Sequence, residues 1–154
     1  MTVHRLTGTT HRETHCFVCS PTNESGLRIP FDYDDVAKEV HARFSFGEGQ
    51  SGAPTFVHGG IALAVLNEAM AWAVVSETGD FAVAASMTTD FRRPLRIGSG
   101  YSVRAAVLAR DTGEVRAEAM ITDDSARECT HAQARFRVLS AATAERLKAR
   151  VARP

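Results

Sequence analysis

The stretch Phe56-Val57-His58-Gly59-Gly60 opens an apolar run in which Asn67 and Glu68 are the only strongly polar side chains before Val75. A helix starting at Gly59 leaves its first backbone N–H groups without intrahelical acceptors. Two slim residues there let an anion or a carbonyl oxygen come close. A carboxylate inside an apolar helix costs several kcal/mol unless it is paired or used. Two roles for Glu68 therefore stay open: a general base whose pKa burial has raised, or half of an ion pair with Arg92 or Arg93 of the sheet or of a partner subunit. Asn67 can orient a water or a carbonyl but cannot take a proton. His58 stands where the helix begins and could simply hydrogen-bond backbone there.

The elements that must hold these residues follow from periodicity. Residues 59–76 read as a helix closing near Gly79, apolar on all sides and so buried on nearly every side. Residues 27–33 read as a strand, Asp34-Asp35 as a hairpin, and 39–46 as a strand with Val40, Ala42, Phe44 and Phe46 on one face. A Gly-rich connection spans 47–54. After the helix come expected strands 81–93, 102–110, 115–122 and 129–139, the first stopped by Pro94. The last places Ala132, Ala134, Phe136 and Val138 on one side. Residues 141–152 read as a polar helix.

Two strands, a helix and four consecutive hairpin-linked strands make an α+β pattern, with one curved antiparallel sheet wrapped around one long helix. A single sheet covers part of a cylinder, so a dimer is expected to complete the enclosure. Residues 1–26 form an irregular segment packing on the domain, 27–140 the domain itself, and 141–154 a C-terminal helix and tail.

At 154 residues with zero formal net charge, the chain suits one domain with a substantial core. No basic excess marks a nucleic-acid binder. The first ten residues lack the apolar stretch of a signal peptide. The run from Ile61 to Val75 is shorter than the roughly 20 residues a membrane span needs. A cytoplasmic protein is expected. Three cysteines cannot build a disulfide framework. Cys16-x-x-Cys19, with His15 and His11 nearby, admits a zinc site or a reduced loop packing Cys and Phe17 on the body. Four ligands from nine residues would be cramped, so no metal is expected.

Three stretches resemble the hotdog-fold acyl-CoA thioesterases, in their phenylacetyl-CoA-thioesterase-like branch. They are Cys16-Phe17-Val18-Cys19 with Asn23, Gly26 and Leu27; Val57-His58-Gly59-Gly60-Ile61-Ala62 with Leu66-Asn67-Glu68-Ala69-Met70; and Phe91-Arg92-Arg93-Pro94 with Gly98. The resemblance implies a hotdog fold, a homodimer or tetramer, and no cofactor apart from coenzyme A within the substrate. It implies that the Gly59 N–H polarises the thioester carbonyl, with Gly60 beside it and His58 orienting the group. The family's acid falls on Asn67, with Glu68 as its companion. The family's hydroxyl position falls on Ala84, and alternation places Ser86 two residues on, on the same strand face. Arg92 and Arg93 are candidates for coenzyme A phosphates. They face opposite ways, so one of them is expected to do so.

The leading expectation is hydrolysis of an acyl-CoA or acyl-carrier thioester to free acid and thiol. The alternative, motivated by Asn67 and Ala84, is a catalytically reduced protein that binds acyl thioesters or a small hydrophobic metabolite without cleaving them. Hydratase chemistry fits the His58-Gly-Gly start and the mid-helix polar pair poorly.

Overall fold

The computed structural model describes residues 2–6 and 15–151. Nine strands, two α-helices and one short 3-10 helix (Glu48–Gln50) are assigned among them: β1 (Val3–Arg5), β2 (Asp32–Asp34), β3 (Glu39–Ser45), β4 (Ser51–Ala53), β5 (Phe56–Val57), α1 (Gly59–Thr78), β6 (Ala82–Phe91), β7 (Gly100–Asp111), β8 (Glu114–Asp123), β9 (Glu128–Val138) and α2 (Ala141–Val151). Seven strands form an antiparallel sheet in the order β1-β2-β3-β7-β8-β9-β6. β4 and β5 make a small separate hairpin. Helix α1 lies on one face of the large sheet, the helix-on-sheet arrangement expected from the sequence.

The core is that contact. Ala62, Val65, Leu66, Ala69, Met70, Ala73 and Val74 form the buried stripe of α1, at the three- and four-residue spacing of one helix face. They pack with Val40, Val103, Ala105, Val115, Ala117, Ile121, Ala132 and Phe136 from the alternating inward positions of the sheet. Small alanines on both surfaces let helix and sheet approach closely. Thr78 closes the helix by donating its hydroxyl to the Val74 carbonyl, and Gly79, at φ 74°, supplies the left-handed cap.

Several expectations need correction. Helix α1 is not enclosed on nearly every side: one stripe is buried, whereas Leu63, Ala64, Asn67, Glu68, Ala71, Trp72 and Val75 are only half-buried. It spans 20 residues, long and apolar enough to cross a membrane by length and composition. Here it is the core helix of the domain. The four later strands are not all hairpin-linked, because β6 crosses over to pair with β9 at the sheet edge. Residues 27–33 contribute only Asp32 and Tyr33 to the sheet, in the strand Asp32–Asp34. Arg28 sits at φ 53° and Pro30 has no N–H, so this chain turns aside. The Leu27 and Ile29 N–H groups instead donate to the Phe17 and Val18 carbonyls, at 2.7 and 2.9 Å. That pairing ties the Cys16–Cys19 loop to the body.

The β2–β3 turn carries a testable electrostatic contribution. Asp34 Oδ1 accepts the Val36 and Ala37 N–H groups at 2.9 and 3.0 Å. The Ala37 bond, then the Val36 bond, hold its carboxyl below the ordinary range. A depressed folded-state pKa stabilises above the unfolded value, about 3.9, and the contribution disappears as pH falls through the folded value. Asp34→Asn should lower the melting temperature at pH 7, with the gap to wild type closing in acid. A gap of constant size down to about pH 2, well below the unfolded carboxyl, would contradict this role.

Candidate active site

The start of α1 is built by three local constraints. Gly52 of β4 passes so close to His58 that a Cβ on it would stand 2.7 Å from the His58 Cα. The His58 N–H donates to the Gln50 carbonyl, and the Val57 N–H to the Leu95 carbonyl, each at 2.8 Å. The loop after β6 also sets the Arg96 guanidinium 5.1 Å over the Phe56 ring. These contacts fix the direction in which α1 begins.

His58 is the N-cap. Its Nδ1 accepts the Gly60 N–H at 2.9 Å, which assigns the proton of the neutral ring to Nε2 and leaves that N–H to face outward. A Cβ on Gly60 would lie 3.0 Å from His58 Nδ1, so glycine admits the imidazole. Only one of the two glycine donors therefore remains open. Gly59 is the first helical residue, exposed, and its N–H has no acceptor among the described residues. The Phe91 ring forms its wall, 3.6 Å from where a Gly59 Cβ would stand. A free donor on the positive end of a 20-residue helix suits a developing negative oxygen.

Asn67 and Glu68 lie higher on α1, about 100° apart around its axis and both half-buried. Within the chain Glu68 meets neither Arg92 nor Arg93. Its Oε1 accepts the Cys16 thiol at 3.3 Å. The Cys19 N–H donates to Cys16 Sγ at 3.2 Å. The ligand atoms of Cys16, Cys19 and Glu68 all fall within 4.8 Å of one another. The Cys19 thiol, assisted by its N–H, holds Cys16 below an ordinary thiol, against burial and the Glu68 charge. The Cys19 thiol is pushed up, first by its bond to Cys16 and then by burial. Among the residues considered for zinc, His11 lies outside the described residues and His15 is exposed, donating no ligand to this cluster.

Strand β6 corrects the expectation for Ser86. A bulge between Ala84 and Ser86 breaks the two-residue alternation: Ala84 opposes the buried Phe136, whereas Ser86 opposes the outward Arg135. The Ser86 hydroxyl accepts from Arg135 Nε at 2.9 Å, so it faces away from the helix. The hydroxyl on the inner face is Thr89, opposite the buried Ala132 and two residues before Phe91. Its Oγ1 is buried without a hydrogen-bond partner among the described residues. Alternation counted back from Phe91 would have found it.

Arg92 Nη1 pairs with Glu128 Oε1 at 2.7 Å, and Arg93 Nη1 donates to the Glu128 carbonyl at 2.6 Å. Arg93 also lines an open cleft of about 360 Å³ with Arg96, Tyr101, Asp123 and Arg127. Arg96 and Arg127 are cations that the sequence did not single out, because the β8–β9 turn and the loop after β6 meet only in the fold.

Residues 55–129 match the sequence profile of the Thioesterase superfamily. Among curated protein sequences no significant match is found. The fold is similar to that of RHA08564, a thioesterase superfamily protein, with TM-score 0.74, 18% identity, 80% of this chain covered and 60% of that one. It is also similar to PaaI of E. coli, from the phenylacetic acid degradation operon (TM-score 0.61, 19% identity, coverage 64% and 75%). A third neighbour is smu.793 of Streptococcus mutans bound to acetyl CoA (TM-score 0.63, 14% identity, coverage 67% and 82%). At these identities the neighbours establish the hotdog fold.

The cap gives a stability test. His58→Ala should cost about 1 kcal/mol by orphaning the Gly60 N–H, while His58→Asn, itself a capping residue, should retain most of that. Denaturant melts of the two variants with equal losses would show that His58 does not cap.

Proposed function

We propose that this chain, a hotdog-fold member of the thioesterase superfamily, hydrolyses acyl-CoA or acyl-carrier thioesters to free acid and thiol. The observation that carries the proposal is the single open N–H at Gly59, walled by Phe91 and aligned with α1. The thioester oxygen accepts that N–H, and His58 Nε2–H orients the acyl thioester beside it. A water held by the Asn67 amide attacks the carbonyl carbon and gives its proton to Glu68. The adduct collapses with cleavage of the C–S bond, and the departing thiolate takes the proton back. On the inner face of β6 the hydroxyl is Thr89, buried and without a partner among the described residues, whereas Ala84 offers none.

The reaction needs two copies of the chain. Glu68 stands nine residues along the helix from Gly59, roughly 13.5 Å of axial rise, whereas reacting atoms must come within about 3.5 Å. In a dimer, the helix tip of one copy meets the Asn67–Glu68 pair of the other. Two surfaces suit that assembly: the half-buried apolar side of α1, and the free edge of β6 flanked by exposed Phe81, Val83 and Phe91. Arg93 and Arg96 offer cations for coenzyme A phosphates, while Arg127 beside them is paired with Asp123 at 2.8 Å. The acetyl-CoA complex of the S. mutans neighbour supports that thiol class. The cytoplasm is the compartment where such substrates and three free cysteines coexist.

A second reading, acyl-thioester binding without cleavage, is favoured by Asn67 at the family's acid position and by the Cys16 thiol already on Glu68. One variant set separates the two. Wild type should release thiol from at least one member of an acyl-CoA panel, and Glu68→Ala should abolish it. Gly59→Pro removes the donor at a helix position where proline is well tolerated, and should lower kcat about 10²–10³-fold. Gly59→Ala keeps the N–H and should stay near wild type. Mixing the Gly59→Pro and Glu68→Ala chains should restore part of the activity if the site is shared between copies. An inactive wild type that gains turnover with Asn67→Asp would establish the binding reading instead.

A further inference from the structure

We propose that Cys16, Cys19 and Glu68 form a zinc site that pins the N-terminal loop to the middle of α1, with a water in the fourth position. This goes beyond the hydrolase reading and does not depend on it. The three donors come from two elements 52 residues apart in sequence. That long-range meeting removes the objection that one short stretch would have to supply every ligand. Zn–S distances near 2.3 Å and Zn–O near 2.1 Å in a tetrahedron put neighbouring ligand atoms about 3.6–3.8 Å apart. Cys16 Sγ and Glu68 Oε1 stand 3.3 Å apart, and all three ligand atoms lie within 4.8 Å of one another. The Cys16–Glu68 pair has to open by only a few tenths of an ångström to span an ion.

The loop is already shaped for ligation. The Cys19 N–H points at Cys16 Sγ, the bond that stabilises a metal-bound thiolate. The Asn23 side-chain amide donates to the His15 carbonyl at 3.1 Å and the Cys16 carbonyl at 3.5 Å. Gly26 lies so close to the Phe17 carbonyl that a Cβ would stand 2.5 Å away. Cys19 is buried while Cys16 and Glu68 are half-buried, so the cluster has a dry side and an open one for water. Two thiolates and a carboxylate select zinc over magnesium or calcium, which take oxygen donors alone. Glu68 binds through Oε1, the oxygen facing the Cys16 sulfur.

The test is metal analysis of full-length protein purified under reducing conditions without chelator, with Co²⁺ replacement as a second readout. One zinc per chain, and a sulfur-to-cobalt charge-transfer absorption on wild type, are expected. Cys16→Ser and Cys19→Ser should each lose both, and Glu68→Gln should weaken zinc at least about tenfold in chelator competition. Wild type with no zinc and no charge-transfer band, or equal zinc in a Cys16→Ser/Cys19→Ser double variant, would overturn the site. Neither readout depends on thiol release. Zinc held this way by a catalytically silent protein upholds the site and defeats the hydrolase reading, and active zinc-free protein does the reverse.

Discussion

Burial of one stripe of α1 against the sheet is the constraint from which the rest of the molecule follows. Seven small or medium apolar residues on that stripe set the helix axis, and the axis decides where its first N–H points. The His58 cap, the Gly52 approach and the Val57–Leu95 backbone bond then trim the first turn until one donor, at Gly59, stays open. Hydrophobic burial of this kind is non-directional; the aim comes from the caps and glycines at the end. The same stripe leaves the opposite side of the helix apolar and half-covered, which is the physical case for a second copy.

Glu68 illustrates how neighbours redefine a charged group. Among the described residues it pairs with no cation; two thiols surround it instead. A thiol donor satisfies a carboxylate weakly, so the group remains open to stronger partners, whether a proton from water or a soft metal ion beside the sulfurs. The residue's partners lie on the loop that Leu27 and Ile29 hold in place. The Cys16–Cys19 loop is thus packed on the turn of α1 that carries Glu68.

What could be read in the sequence was local. Periodicity and turn residues located α1, its Gly79 cap and the strands β3, β7, β8 and β9, because each signal lies within a few residues of what it specifies. The His58-Gly59-Gly60 start was legible for the same reason. The placement of β6 at the sheet edge was not, since two strand neighbours leave the same alternation whichever order they pair in. The Ala84–Ser86 bulge was invisible because one extra residue inverts the face of everything before it without altering composition. Short β1 and β4 carry too few residues for a period to show. The Cys16–Glu68 meeting depends on tertiary closure alone.

The mechanism stands or falls on whether the Gly59 N–H receives the substrate's carbonyl oxygen. That contact is followed most directly through the backbone amide resonances of labelled protein, titrated with a non-hydrolysable acyl-CoA analogue whose thioester is replaced by a ketone. A large downfield shift of the Gly59 amide proton is expected, with Gly60, already bonded to His58, moving far less. Saturable binding of the analogue that leaves the Gly59 amide where it was would refute the contact.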